Sequence, residues 1–559
     1  MLTPELLLNR ALTVIAAALL CAGGVSAQGM ETADIQENRP VGTWTDYLPY
    51  HQTEELIHCG TALDTGIWAV RTEHAVFTLD ERTDAVERIS TVRGMSGSQP
   101  TALAWDPTGE MLIVGQASGS IDFFSNTGDW LYTLRDIEQS NLIGDKSILS
   151  LEIFAALNSD LLIATTAFGV VAIHLRELDV RDTWYLEGQQ ALRRCHGITV
   201  HESHYVVWTD AGVFEAPVDH PFLSSPDAWS RWEDIPLETG DYAYVEFAPN
   251  GHILLHRKTG ETAAPDELWL RMDGLWQPFE ASESVQVLSI ASGSTSDDPS
   301  DWRIAIADHQ SIRQFNADWE EIQLDYAADG VPLRVRDMEY RHAVNVMGDV
   351  GFVGFGDLFI ANFEQGLLKM DVSGGEADAH WSPEGPPVAL VRNVDAWNDQ
   401  IWVASGGIDE TWTSMYHKHG FYGMSGMRWN WIPNQEGLNN LAGINDPMAV
   451  SIDPTNPFHA YFGSWEEGLI EVQNGEVVDI YNENNSTLEL GNFGGSPRVG
   501  VGGVDFDRFG NLWFTNAYAD APLHVRLNDG TFAAMALGDA LGNTGWLGDV
   551  LAARNGYIW

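Results

Sequence analysis

The residues that invite a chemical reading are two histidine pairs, two serine-bearing loops and one cluster of aromatics. His201-Glu202-Ser203-His204 comes close to the zinc pattern H-E-x-x-H, but its second histidine arrives one residue early. Only the full spacing sets both imidazoles on one helical face. The stretch also adjoins Tyr205-Val206-Val207-Trp208, which reads as a strand, so polar residues of a hairpin explain it better. His417-Lys418-His419 alternates as a strand does and has no carboxylate beside it in the sequence. Gly94-Met95-Ser96-Gly97 and Gly423-Met424-Ser425-Gly426 begin like nucleophile elbows, yet G-x-S-x-G needs a glycine where the chain has Ser98 and Met427. Asp505-Phe506-Asp507-Arg508-Phe509-Gly510 starts like a calcium loop, with Phe509 where the third ligand belongs. Gly500-Val501-Gly502-Gly503 leads into a strand rather than a helix, so it is no dinucleotide loop. Asn484-Asn485-Ser486-Thr487 contains glycosylation sequons, which on their own carry little weight. No carboxylate pair stands out against a background of 80 acidic residues. The reading is therefore of a protein that is not an enzyme, with no catalytic residue, no cofactor and no metal ligand.

The aromatics are a separate matter. Trp412, Tyr416, Phe421, Tyr422, Trp429 and Trp431 fall in one long insertion, roughly Gly406 to Asn434. Exposed, they would stack on sugar rings or on a partner surface. The plainer alternative is that they pack the insertion onto the domain beneath it. They are the candidate glycan or partner contacts.

The elements that must position these residues repeat along the chain. A short apolar strand recurs as Ile67-Trp68-Ala69-Val70, Leu112-Ile113-Val114-Gly115, Leu162-Ile163-Ala164-Thr165 and Tyr205-Val206-Val207-Trp208. It continues as Leu268-Trp269-Leu270, Arg303-Ile304-Ala305-Ile306, Leu358-Phe359-Ile360-Ala361, Ile401-Trp402-Val403-Ala404 and Ala460-Tyr461-Phe462-Gly463. Leu512-Trp513-Phe514-Thr515 and Tyr557-Ile558-Trp559 complete eleven copies, mostly 43 to 59 residues apart. Upstream stand a strand and a tight turn, such as Asp106-Pro107-Thr108-Gly109, in which Pro and Gly set the turn dihedrals. Downstream a glycine opens a third strand, as in Gly169-Val170-Val171 and Gly468-Leu469-Ile470. Four antiparallel strands per ~50 residues fit a β-propeller blade. A sandwich array would lack the strand–Gly–strand unit, and a β-helix would repeat at a shorter interval. The expected fold is all-β: a seven-bladed propeller over 40–375, then a second, incomplete propeller over 385–559 with about four blades, cut off inside an inner strand. A Gly- and Pro-rich linker joins them over 371–387.

Composition sets the compartment. Arg10, the apolar run Ala11 to Val25 and the Val25-Ser26-Ala27 site read as a secretory signal peptide over 1–27. A lipoprotein signal at Cys21 is the rival, opposed by Leu20, where a small residue belongs. No later stretch is long and apolar enough to span a bilayer. Cys59 and Cys195 then remain, too few for a disulfide framework, and two buried unpaired thiols are the better reading. The 80 acidic and 29 basic residues give a formal charge of −51, which disfavours nucleic-acid binding. Self-repulsion on that scale is tolerable where salt screens it, so a marine or salt-loving source is inferred.

Several stretches exceed a generic propeller. They are Gly42-Thr43-Trp44-Thr45-Asp46-Tyr47-Leu48-Pro49-Tyr50, residues 112–124 (LIVGQASGSIDFF), Asn141-Leu142-Ile143-Gly144-Asp145-Lys146-Ser147-Ile148, Phe168-Gly169-Val170-Val171-Ala172-Ile173 and Arg181-Asp182-Thr183-Trp184. In that order they resemble the N-terminal propeller of the PorZ family, of the bacterial type IX secretion system. Gly406-Gly407, the aromatic insertion and Tyr481-Asn482-Glu483-Asn484-Asn485-Ser486 also look like that family, the last being shared with two-component-regulator propellers. Gly94-Met95-Ser96-Gly97 departs slightly from it, where a GLSD-like stretch is expected. The resemblance implies two seven-bladed propellers and a C-terminal β-sandwich that directs secretion, and this sequence does not contain the sandwich. It implies a place at the outer-membrane cell surface with a PorU-like sortase, PorV-like and PorQ-like proteins, and binding of anionic lipopolysaccharide. It offers no catalytic motif. Two rivals stand: the sensor ectodomain of a hybrid two-component regulator, and a propeller enzyme with an acid/base pair in its mouth.

Overall fold

The computed structural model describes residues 44–559, apart from 61–65, 238, 260–264, 280–285, 295–300, 328–333, 341–356, 372–378, 427, 434–442, 494, 539–544 and 546. The signal-peptide segment and residues 372–378 of the linker lie outside the described residues. The chain forms two compact units that divide between Pro383 and Glu384, with Tyr47–Pro49 grouped in the second. The architecture is all-β, and the described helices are single turns such as Thr91–Arg93 and Ala155–Asn158.

Among the described residues of the first unit, seven four-stranded antiparallel sheets cover 53–89, 100–134, 148–184, 195–231, 241–278, 287–327 and 335–381. Every sheet is built from four consecutive strands. The second strand of most sheets is apolar on both faces because a neighbouring sheet covers each face. Ala69, Val76 and Ile89 of the first sheet meet Leu112, Val114 and Phe124 of the second. Ile113 and Phe123 meet Leu162, Ala164 and Val171 of the third. The series returns on itself, since Trp68 of the first sheet stacks on Phe359 of the seventh at 3.9 Å.

Three devices recur that the residue pattern only hints at. In all seven sheets the first strand opens with a one-residue register shift against the second, for example between Thr53 and Glu55, Cys195 and Gly197, and Val335 and Asp337. Such a bulge bends a strand and ends its pairing. The second strand often ends in a polar residue that caps the next turn: Thr166 Oγ1 donates to Gly169 O at 2.8 Å, and Thr209 Oγ1 to Gly212 O at 2.9 Å. The turn then closes on a glycine at positive φ, +150° at Gly169 and +95° at Gly468. Finally, carboxylates on the first strand of one sheet accept backbone N–H groups from the first strand of the next. Glu55 takes Leu103 N at 3.1 Å, and Asp337 takes Leu56 N at 3.1 Å. These bonds satisfy donors on an edge that no further strand pairs.

The second unit has four-stranded sheets at 393–432, 447–481 and 504–535, and a two-stranded sheet, Gly491–Phe493 with Ser496–Arg498. The same inner-edge bond recurs: Asp395 accepts Ile452 N at 2.7 Å, and Asp505 accepts Ala552 N at 2.7 Å.

Some expectations change. Leu268-Trp269-Leu270 lies in the third strand of its sheet, Glu267–Met272; the second is Ile253–Lys258. His256 and Arg257 interrupt that apolar run, which is why the motif slipped by one strand. Tyr557-Ile558-Trp559 is no regular strand but one arm of a hairpin, joined by the bridge Ala552–Ile558 and by reciprocal Leu551–Trp559 bonds of 2.9 Å. Cys59 and Cys195 are buried and unpaired.

Candidate functional site

The aromatic insertion is shorter than its sequence suggests. Phe421 and Tyr422 belong to the third strand of their sheet, Phe421–Ser425, and Trp429 and Trp431 to the fourth, Arg428–Ile432. Only 405–420 is a true excursion, between the second and third strands. Phe421 and Tyr422 are both 0% exposed. Phe421 packs on Phe462 with centroids 4.5 Å apart, and the Tyr422 hydroxyl donates to Leu390 O. Trp429 is half-buried between Tyr422 and Tyr47. Trp412 leans on the buried Trp465, whose indole N–H donates to Trp412 O at 3.2 Å. The six residues therefore divide. Packing explains Phe421, Tyr422, Trp429 and Trp412, while Tyr416 (56% exposed) and Trp431 (51%) keep rings in solvent.

Asp446, fully buried and missed by the sequence reading, holds the excursion in place. Its carboxylate accepts Gly407 N at 3.0 Å, Tyr416 N at 2.8 Å, His417 N at 2.9 Å and the Ser414 hydroxyl. Trp412 and Tyr416 sit at positive φ, +64° and +60°, a strain these bonds offset. Close by in the chain, Asn445 donates to Glu466 at 2.8 Å and to Glu467 at 3.1 Å. Burial pushes Glu467 up to about 7. The Ser405 hydroxyl and the Asn445 amide oxygen are buried with no hydrogen-bond partner among the described residues. A 29-residue separation between His417 and Asp446 gave no signal in the sequence.

The other motifs resolve as structure. His201 and His204 face each other across a hairpin whose turn, Glu202-Ser203, has φ of +45° and +67°. His201 stacks on Phe247 at 3.9 Å. Ser96 Oγ is bonded to Asp122 at 2.9 Å and to Ser120 at 2.7 Å, in a loop between sheets. Ser425 lies in a strand beside the turn glycine Gly426. Asp507 caps its own turn through Phe509 N and Asn511 N at 2.8 and 2.9 Å. His417 and His419 lie 5.7 Å apart by ring centroids, and burial, then His417, lowers His419. Among the described residues, His174, Glu177 and Asp179 form a three-donor cluster in an exposed turn, where His174 Nδ1 already meets Asp179 at 2.9 Å.

The first strands of the first unit carry a further group of carboxylates: Glu55, Glu152, Glu246, Asp337 and Glu339. Desolvation, then Glu55, pushes Asp337 up to about 7. Desolvation, then Asp337, raises Glu339 further, although it accepts His58 N at 2.9 Å. Water still reaches Glu152, which moves in the same direction.

Residues 67–230 match the family described as the type IX secretion PorZ N-terminal β-propeller domain. The stretches 112–124, 141–148, 168–173 and 181–184 all fall inside that match, so the PorZ-like resemblance holds there. The structure is similar to PorZ of Porphyromonas gingivalis, described as an essential surface component of the type IX secretion system, with a TM-score of 0.73 and 17% identity. The alignment covers 93% of this chain and 63% of that one, so this chain spans less than two thirds of PorZ's length. The extracellular domain of a putative hybrid two-component system from Bacteroides thetaiotaomicron aligns at a TM-score of 0.41 and 12% identity, covering 93% of this chain and 69% of that one. No curated protein sequence matches. Among the described residues no helix is long and apolar enough to cross a membrane.

Proposed function

We propose that this chain is a non-enzymatic, cell-surface component of a type IX secretion system, acting as a scaffold or ligand presenter in the manner of PorZ. The observation that carries this reading is the family match over 67–230. The wider likeness to PorZ supports the fold on which it rests. In this reading residues 1–27 are the export signal, and 40–375 form a seven-bladed propeller. Seven sheets whose last packs on the first are what such a ring requires. Residues 385–559 form part of a second propeller. A PorU-like sortase with PorV-like and PorQ-like proteins are the proposed partners, and anionic lipopolysaccharide the proposed ligand.

The acidic surface constrains that last point. Several arginines are already paired: Arg193 and Arg231 converge on Glu187, and Arg498 meets Glu466. An anionic polysaccharide would therefore need a local arginine patch, a bridging cation or high salt. Deleting the gene in the source organism tests the assignment. Secreted cargo should lose its attachment to the cell surface, and cargo that stays attached would refute the reading. Purified protein should bind anionic lipopolysaccharide more tightly with millimolar calcium than with chelator.

A further inference from the structure

A cavity of about 500 Å³ opens in the first unit where the 135–147 loop meets the third sheet. Its floor is apolar and buried, made by Ile137, Phe168 and Val171. Leu142, Val180 and Tyr185 form half-buried walls. The exposed rim is mainly polar, with Asp136, Ser140, Asn141 and Gln189, joined by the apolar Leu192. Among the described residues no lysine or arginine lines it. Lys146, on the same loop, is committed elsewhere: its ammonium donates to Glu138 O at 2.7 Å and to Ser140 O at 2.8 Å. With Gln139 N donating to Arg135 O at 2.8 Å and Ser140 Oγ to Ile137 O at 2.7 Å, the loop is fixed by its own bonds. The cavity is thus formed before anything enters it, which lowers the entropic cost of binding. Ile143, 94% exposed, stands on the same loop.

We propose that this cavity seats one bulky apolar side chain from a basic segment of a protein partner. An apolar floor under a polar rim is the layout that holds a hydrophobic anchor residue. A sugar ring would need several hydrogen-bonding groups at depth, where this cavity offers Ile137, Phe168 and Val171, with Thr183 and Tyr185 only in its half-buried wall. An anion would find Asp136 and no cation. The carboxylate of Asp136, on a chain of net charge −51, instead complements lysine or arginine beside the anchor. The proposal stands on the cavity and does not depend on the secretion assignment.

The test uses the full chain and three peptides: acetyl-Lys-Phe-Lys-amide, acetyl-Lys-Ala-Lys-amide and acetyl-Glu-Phe-Glu-amide. Binding is read by saturation-transfer NMR. The first peptide should saturate, and the other two should bind at least tenfold more weakly. Val180→Trp, which fills the cavity, and Leu142→Glu, which charges its wall, should each lose at least tenfold with an unchanged circular dichroism spectrum. Asp136→Lys should abolish the preference for lysine over glutamate flanks. Should Val180→Trp fail to fold, Leu142→Glu and Asp136→Lys carry the test alone. Equal binding of the phenylalanine and alanine peptides overturns the proposal. So does undiminished binding by the variants, or saturation by methyl glucoside or inorganic phosphate in place of the first peptide.

Discussion

One buried carboxylate decides whether the excursion at 405–420 has a shape. Asp446 accepts three backbone N–H groups, from Gly407, Tyr416 and His417. Asp446→Ala leaves those donors without an acceptor at a cost of about 3 kcal/mol. Urea denaturation should register the loss, and limited proteolysis should show cleavage between 408 and 417 that the parent resists. An uncut loop would mean that Asp446 does not hold it. A second residue-scale effect concerns pH. Asp337 titrates near 3.8 when unfolded and is pushed up to about 7 when folded, so between those values the native state binds the extra proton. Stability from this group is complete below about pH 4 and is lost as pH rises through 7. Asp337 is partly exposed, so solvent screening discounts the effect to a drop of about 1–3 kcal/mol. Asp337→Asn should flatten the melting-temperature profile from pH 5 to 8, and an unchanged slope would assign it to other groups. Neither residue announced itself in the sequence. Eighty acidic residues hide the few with buried roles, and a side chain that bonds backbone across sheets leaves no local spacing. The aromatics were visible, but whether each faced core or water depended on strand register, which composition does not carry.

At the level of the element, glycine at the start of the third strand is a steric requirement. A Cβ on Gly169 would lie 2.6 Å from Trp184 O, on Gly366 2.5 Å from Trp381 O and on Gly468 2.2 Å from Tyr481 O. In each case the fourth strand's carbonyl occupies the space, and φ is positive as well. Gly468→Ala should therefore cost about 2–3 kcal/mol. Gly475→Ala, in a turn at φ +82° with open space around it, should cost about 1 kcal/mol. Paired thermal melts check the ranking, and equal shifts would remove the steric account. The strand–Gly–strand repeat was legible for this reason: a geometric necessity recurs at a fixed place. The bulge that opens every first strand in the first unit was not legible. Glu54, Thr101, His196 and Arg336 share no chemistry, because a bulge constrains backbone rather than side-chain type. The two-stranded sheet at 491–498 was missed as well; Gly- and Pro-bearing strands of three residues carry no periodicity.

At the scale of the whole molecule, stability rests on how the first and seventh sheets meet and on charge. Each sheet uses consecutive strands, so no strand is shared across that seam. Side chains close it instead: the Trp68–Phe359 stack, Lys369 to Glu81 at 2.6 Å, Trp381 Nε1 to Asp84 at 2.9 Å and the Asp337–Leu56 bond. Phe359→Ala should cost about 3–4 kcal/mol and raise hydrogen exchange in the first and seventh sheets before the third. Uniform exchange across all seven would show that the seam is not the weak point. Against these contacts acts a formal charge of −51, in a chain with lysine only at 146, 258, 369 and 418. Raising salt from 0.05 to 1 M shortens the screening length from about 14 Å to about 3 Å, which suppresses repulsion between exposed carboxylates. It weakens the Lys369–Glu81 pair less, because both side chains are largely buried. Repulsion spans the surface while the seam pairs are few, so salt should raise the melting temperature. Sodium chloride titration by calorimetry reads the balance. A melting temperature that falls with salt would mean that ion pairs at the seam outweigh the repulsion, and would remove the inference of a saline habitat.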